Sequence, residues 1–173
     1  MSKEKKALVQ ELQDNQDRLL HFLETIDEEL FVYQPPNNSW SIAGLVEHII
    51  LSESGIVKGI KKYGEMPSEK AVISALDPKQ IREVAKDRSK TYSSPSPFIP
   101  KGIFNNKGMA IEGFITHRAS LDKFITTTEL PLKQISFPHF AFGVLDGRSW
   151  LLFMIGHCDR HIVQMEEIKV NRK

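Results

Sequence analysis

Four stretches of this chain repeat apolar residues every three or four positions, and that periodicity constrains the fold more than any other feature. The first runs from about Lys5 to Leu30, with Leu8, Leu12, Leu19, Leu23, Ile26 and Leu30 on one stripe, before Pro35-Pro36-Asn37-Asn38 stops it. The second follows Ser39-Trp40-Ser41, where either serine can cap free amides, and continues through Ile42, Leu45, Ile49, Ile56 and Ile60 to Tyr63-Gly64. The third, from about Lys107 to Thr128, carries Ile111, Phe114, Ile115, Leu121 and Ile125. The fourth, from about Gly147 to Val170, follows the capping residue Asp146 and holds Trp150, Phe153, Met154, His157, His161, Met165 and Ile168. Helices of this kind bury their stripes against one another, so the expected fold is an all-α four-helix bundle.

The connection from Gly64 to about Asn106 is long enough to return along the bundle. It would leave helices 2 and 3 parallel, in up-down-down-up order with one long crossover between them. Within it, Asp77-Pro78-Lys79 opens a short helix to about Ser89. Ser93-Ser94-Pro95-Ser96-Pro97-Phe98-Ile99-Pro100 is read as neither helix nor central strand. Tyr92, Phe98, Ile99 and Phe104 are more apolar than a solvated loop needs and are expected to pack over the bundle or a partner. Ile135 to Gly143 reads as a short segment leading to the fourth helix.

At 173 residues a single domain spanning 1–173 is expected. A formal net charge of +1 leaves no electrostatic footprint for nucleic acid. No stretch approaches the roughly 20 apolar residues of a membrane span, and the charged N-terminus has no apolar run behind it, so a cytoplasmic location is expected. Cys158 is the only cysteine, which leaves no internal disulfide and no thiolate-based zinc site.

His157 and His161 stand four residues apart, one above the other on the same helix face. Such a pair can grip one divalent ion, and His48 on a facing helix would complete three nitrogens with an open position, the pattern of a catalytic metal. One buried histidine alone is better read as a hydrogen-bonded core residue; three inward-pointing ones on two helices favour metal. A zincin needs His-Glu-x-x-His, and here Cys158 takes the glutamate's place. A di-iron centre needs Glu-x-x-His pairs, and this chain has none. Gln164, one turn past His161, and Glu47 or Ser52 beside His48 are the expected partners for the outer ring nitrogens, although Glu47 reads better as exposed. Gly44, Ser52, Gly55 and Gly59 share the face of His48, leaving either close packing or room for a ligand. Trp40, His139 and Phe142 are expected near the rim of such a pocket. His21 reads as a boundary residue, His117 as a hydrogen-bonded core residue and Cys158 as a small buried hydrophobe.

Trp40-Ser41-Ile42 followed by His48, then Phe137-Pro138 and Phe142-Gly143, then His157-x-x-Arg160-His161-x-x-Gln164-x-x-x-Ile168, resemble the DinB/YfiT-like superfamily. The resemblance implies four long helices in up-down-down-up order, frequent dimers, and one divalent ion, nickel or zinc, on His48, His157 and His161. Some members are S-transferases that use low-molecular-weight thiols. The resulting expectation is a homodimeric, metal-dependent S-transferase or hydrolase acting on a small-molecule substrate, with a low-molecular-weight thiol as a partner. The alternative is a non-catalytic metal- or ligand-binding bundle. A deep pocket beside the histidines favours the enzyme, and a sealed site favours the second reading.

Overall fold

A computed structural model describes residues 1–37, 39–66, 77–90 and 92–172. The parts of the expected crossover at 67–76 and Thr91, and Asn38 of the first helix stop, lie outside the described residues. Helix α1 (Lys3–Glu24) begins where the Ser2 hydroxyl accepts from Lys5 N at 3.2 Å. The stripe expected to continue to Leu30 is broken after Glu24. The Thr25 hydroxyl donates back to Phe22 O at 2.7 Å, and Asp27 caps a separate helix α2 (Glu28–Val32) by accepting from Leu30 N at 2.7 Å. Side chains that bond their own backbone compete with helix continuation, and here two in sequence outweigh the apolar period.

Helix α3 (Ile42–Gly64) is capped by Ser41, which accepts from Gly44 N at 3.1 Å. In the crossover, α4 (Pro78–Lys86) starts with Asp77 accepting from Gln80 N at 3.0 Å. It stops short of Ser89, because the Asp87 carboxylate turns aside to take both Ser89 N (2.9 Å) and Ser89 Oγ (2.7 Å). The Pro-rich segment expected to be non-helical holds one 3-10 turn, Ser96–Phe98. Pro97 lies at the start of this turn, where its missing N–H loses no bond. Helix α5 (Lys107–Thr127) is capped by Asn106, which accepts from Met109 N, and α6 (Gly147–Asn171) by Asp146, which accepts from Ser149 N at 2.6 Å.

The contacts fix the helix directions. Lys5 reaches the Thr126 carbonyl while Lys107 N bonds Glu28, so α1 and α5 are antiparallel. Asn15 bonds Asp159 and Lys169 bonds Thr25, so α1 and α6 are parallel. Glu53 bonds Arg118 and Gly64 packs on Leu130, so α3 and α5 are parallel. Helix α1 packs on α5 and α6, and so does α3. This is the up-down-down-up bundle. No helix among the described residues is long and apolar enough to cross a membrane.

Residues 135–143 contain what periodicity did not reveal. Strand β1 (Ser136–His139) pairs antiparallel with β2 (Gly143–Asp146), in register Ser136↔Asp146 and His139↔Gly143. Gly143 adopts φ +74, a left-handed conformation open to glycine at little cost, and so ends the turn Phe140-Ala141-Phe142. The hairpin hands the chain directly to α6 and sets Phe137 between Trp150 (4.5 Å, stacked) and Tyr63 (5.0 Å, stacked).

Between the two apolar clusters of the core runs a polar layer that the apolar stripes conceal. Arg118, 1% exposed, donates to Glu53 Oε1 (2.6 Å), Asn15 Oδ1 (2.8 Å) and Leu12 O (3.2 Å). His117 bonds the other Glu53 oxygen at 3.0 Å, the hydrogen-bonded role expected of it. Asn15 continues the layer to Asp159 (2.7 Å), which also takes Arg82 (3.1 Å) and Arg18.

Candidate metal centre

His48, from the second turn of α3, meets His157 and His161 from the middle of α6. Their Nε2 atoms converge: His161 to His157 is 3.1 Å and His48 to His157 is 3.4 Å. One nitrogen from each of the three lies within 4.8 Å of the others, a group that could hold a metal ion.

The outer nitrogens explain the convergence. His48 Nδ1 lies 2.7 Å from the Phe98 carbonyl, which can only accept, so Nδ1 carries the proton and Nε2 the lone pair. His161 Nδ1 lies 3.0 Å from Gln164 Oε1. Arg88, which can only donate, also reaches that Gln164 oxygen at 3.2 Å and fixes the amide orientation. Lone pairs on His48 and His161 are therefore aimed at the same point.

Desolvation lowers the pKa of His48; the Phe98 carbonyl raises it by less. His157 is held well below its usual value, first by burial and then by His161 and His48. His161 is lowered to about 3 by burial and by His48, against the opposing Gln164 bond. Neutral imidazole is the form that binds a metal, so these residues fit one chemically as well as geometrically.

For His161 the outer partner is Gln164. For His48 the outer partner is neither Glu47 nor Ser52: Ser52 Oγ stands 3.4 Å from the inner Nε2, and the backbone of Phe98 takes Nδ1. Glu47, read as exposed, is 2% exposed. Its carboxylate accepts three backbone amides, from Lys101 (2.7 Å), Gly102 (2.8 Å) and Ile103 (3.1 Å). That clamp holds the segment that brings Phe98 O to His48, and Gly102 at φ +77 lets the chain turn around it. The arrangement of a helix-borne acid and loop amides had no sequence signal, since any residue supplies an amide.

These histidines line a cavity of about 240 Å³, together with Trp40, His139, Phe142, Phe153 and others. Trp40 packs against His48 at 4.7 Å, and Phe153 stacks on His157 at 5.4 Å. Of the glycine stripe, Ser52 and Gly55 line the cavity. Yet a Cβ on Gly55 would meet Phe98 at 2.5 Å and one on Gly59 would meet Phe137 at 2.9 Å, so at these two glycines close packing of aromatic rings is also at work. Of the residues expected to cover the bundle, Phe98 and Phe104 do so on Gly55 and Gly113, Tyr92 meets Phe140 edge-on at 5.5 Å beside the cavity although half exposed, and Ile99 is exposed. Arg160 donates to the carbonyls of Asp87 and Lys90, pinning the crossover over the site. Cys158 is sealed in the core with its thiol pushed up to about 12, which makes it inert, and His21 is exposed.

Burial also lowers His139, to about 4 from 6.5. A histidine whose folded pKa lies below its unfolded value takes its proton more readily when unfolded. Its contribution to stability is therefore full above pH 6.5 and is lost as pH falls toward 4. The metal-free protein is expected to lose urea resistance between pH 7 and pH 5, taking up protons as it unfolds. A midpoint that stays level over that interval would show that these imidazoles are not buried in the neutral form.

A helical bundle presenting three imidazoles to an aromatic cavity is the class that fold and site define. The model of the DinB superfamily matches residues 11–165, and the chain belongs to that superfamily. It is also similar to the uncharacterized protein YuaE of Bacillus subtilis (strain 168), 26% identical over 147 residues, covering 85% of this chain and 88% of that one. No solved structure matches it significantly.

Proposed function

We propose that this protein binds one divalent ion, zinc or nickel, on His48, His157 and His161, and works on a small electrophile as a thiol S-transferase or hydrolase. The observation that carries this reading is the aim of the His48 and His161 lone pairs at one point beside an open cavity. Imidazole suits both metals, and availability decides between them. When bound, the ion would supply Lewis acidity, lowering the pKa of a water or thiol at its open position.

The chain's own residues do the rest. The Phe98 carbonyl and Gln164 hold two ring planes in place, and Arg88 holds Gln164. Trp40, Phe142 and Phe153 give the cavity an aromatic wall beside the histidines. The described residues of the lining include no carboxylate, so no side-chain base of that type competes for the nucleophile's proton. That set favours attack on a small activated electrophile over peptide or phosphodiester cleavage. The cavity favours catalysis over a sealed binding site.

The test is to restore zinc or nickel to metal-free protein and follow thiol consumption and hydrolysis across a panel of electrophiles. Turnover requiring both the metal and His48 is expected; metal binding with no such turnover would leave the non-catalytic reading in its place. Gln164→Leu is expected to weaken metal affinity by ~10–100-fold, measured by competition with a chromogenic chelator, with little change in the unfolding midpoint of the metal-free protein. Unchanged affinity would remove Gln164 from the site.

A further inference from the structure

His139 reaches the cavity wall from the hairpin, not from a bundle helix. Phe140 and Phe142 stack on its ring at 4.5 and 4.6 Å, Phe153 meets it edge-on at 4.4 Å, and Trp150 stands at 5.0 Å. Its Nδ1 accepts from the backbone amides of Ala141 (3.0 Å) and Phe142 (3.2 Å). Backbone amides only donate, so Nδ1 carries the lone pair and the neutral ring has its proton on Nε2. Among the described residues Nε2 has no hydrogen-bond partner, yet unlike Arg118 Nε it is not sealed away from open space. The open space that His139 borders is the cavity.

A donor left without a partner in an apolar wall costs free energy unless something accepts from it. We infer that His139 Nε2–H binds a neutral acceptor oxygen, a carbonyl foremost, on a small aromatic or apolar substrate in this cavity. The inference rests on the cavity being the substrate site of the function proposed above. At the His139 end of the cavity the neighbours are the uncharged rings of Phe140, Phe142, Phe153 and Trp150, which suit an uncharged acceptor. The Arg160 guanidinium, also in the described lining, donates to the carbonyls of Asp87 and Lys90. Phe153 touches both His139 (4.4 Å) and His157 (5.4 Å), so the acceptor end of a ligand would lie one aromatic ring from the three histidines.

Acetophenone and ethylbenzene have nearly the same shape and differ in one carbonyl oxygen. Each is titrated into zinc-loaded and metal-free protein, followed by ¹⁵N spectra of the histidine rings. Acetophenone is expected to bind roughly 5–10-fold tighter than ethylbenzene in both forms, shifting the protonated Nε2 of His139. In His139→Asn the side-chain oxygen can still accept from the turn amides, preserving the hairpin, but the N–H at the old position is gone. That variant is expected to lose the preference for acetophenone over ethylbenzene, whatever its affinity for ethylbenzene. Equal affinities in the wild-type protein, a preference unchanged in His139→Asn, a proton found on Nδ1, or binding of neither probe would each overturn the inference. The arms separate the two readings. Equal probe affinities alongside metal-dependent turnover reject the His139 donor alone, and a carbonyl preference in protein that never retains metal rejects the proposed function alone.

Discussion

The His157→Ala, His161→Ala double variant is expected to emerge from purification with metal at background, while the wild-type protein carries about one equivalent per chain. The pair supplies two of the three converging nitrogens, and the remaining His48 is a single imidazole hydrogen-bonded to Phe98 O. Binding also adds stability by mass action: a metal present at a hundred times its dissociation constant contributes about 2.7 kcal/mol. Added zinc or nickel should therefore raise the unfolding midpoint of the wild-type protein and leave that of the double variant in place. His21→Ala is the control, since an exposed histidine can chelate nickel without any site; it should keep its metal. Elemental analysis with thermal unfolding reads both quantities. Equal metal content in wild-type and double variant would refute the site.

The second large effect is remote from the cavity. Arg118→Leu is expected to destabilise the bundle by about 3–5 kcal/mol, because it leaves the Glu53 carboxylate buried without its principal partner. Glu53 and Arg118 are each 1% exposed at the side chain and 2.6 Å apart, so water cannot replace the lost bonds. His117, 3.0 Å from the other oxygen, remains as a hydrogen-bond partner and offsets only part of the loss. Replacing both partners, Glu53→Leu with Arg118→Leu, removes the uncompensated charge. It should recover most of the loss, although Asn15 and Leu12 O would still lack a donor. Urea denaturation of the single and double variants measures this. A single-variant loss under 1 kcal/mol would mean that the pair is solvated in solution.

The bundle and the histidine trio were legible because each depends on short-range periodicity. Apolar residues three and four apart specify a helix face, Ser41 and Asp146 mark where two helices start, and the spacing of His157 and His161 places both rings on one side of α6. The crossover was long enough to let α3 and α5 run in parallel, as they do. Where local chemistry opposed the period, the reading failed. Thr25 and Asp27 end α1 early through bonds to their own backbone, and an apolar count cannot see them.

What the tertiary structure alone decided is how the polar groups are satisfied. Glu47 has the residue type of a surface acid, yet three amides from a distant loop draw it inward. His48 is aimed by a carbonyl of Phe98, fifty residues along the chain, and a backbone carbonyl carries no residue identity to search for. The hairpin that orients His139 was hidden because a four-residue strand offers too short an alternation to register. Arg118 and Glu53 sit on faces that look amphipathic, and only the meeting of α1, α3 and α5 makes their position the centre of the core. A sequence specifies which side of each helix turns inward, because that follows from spacing along one chain. Which donor meets which acceptor depends on segments distant in sequence, and folding alone brings those together.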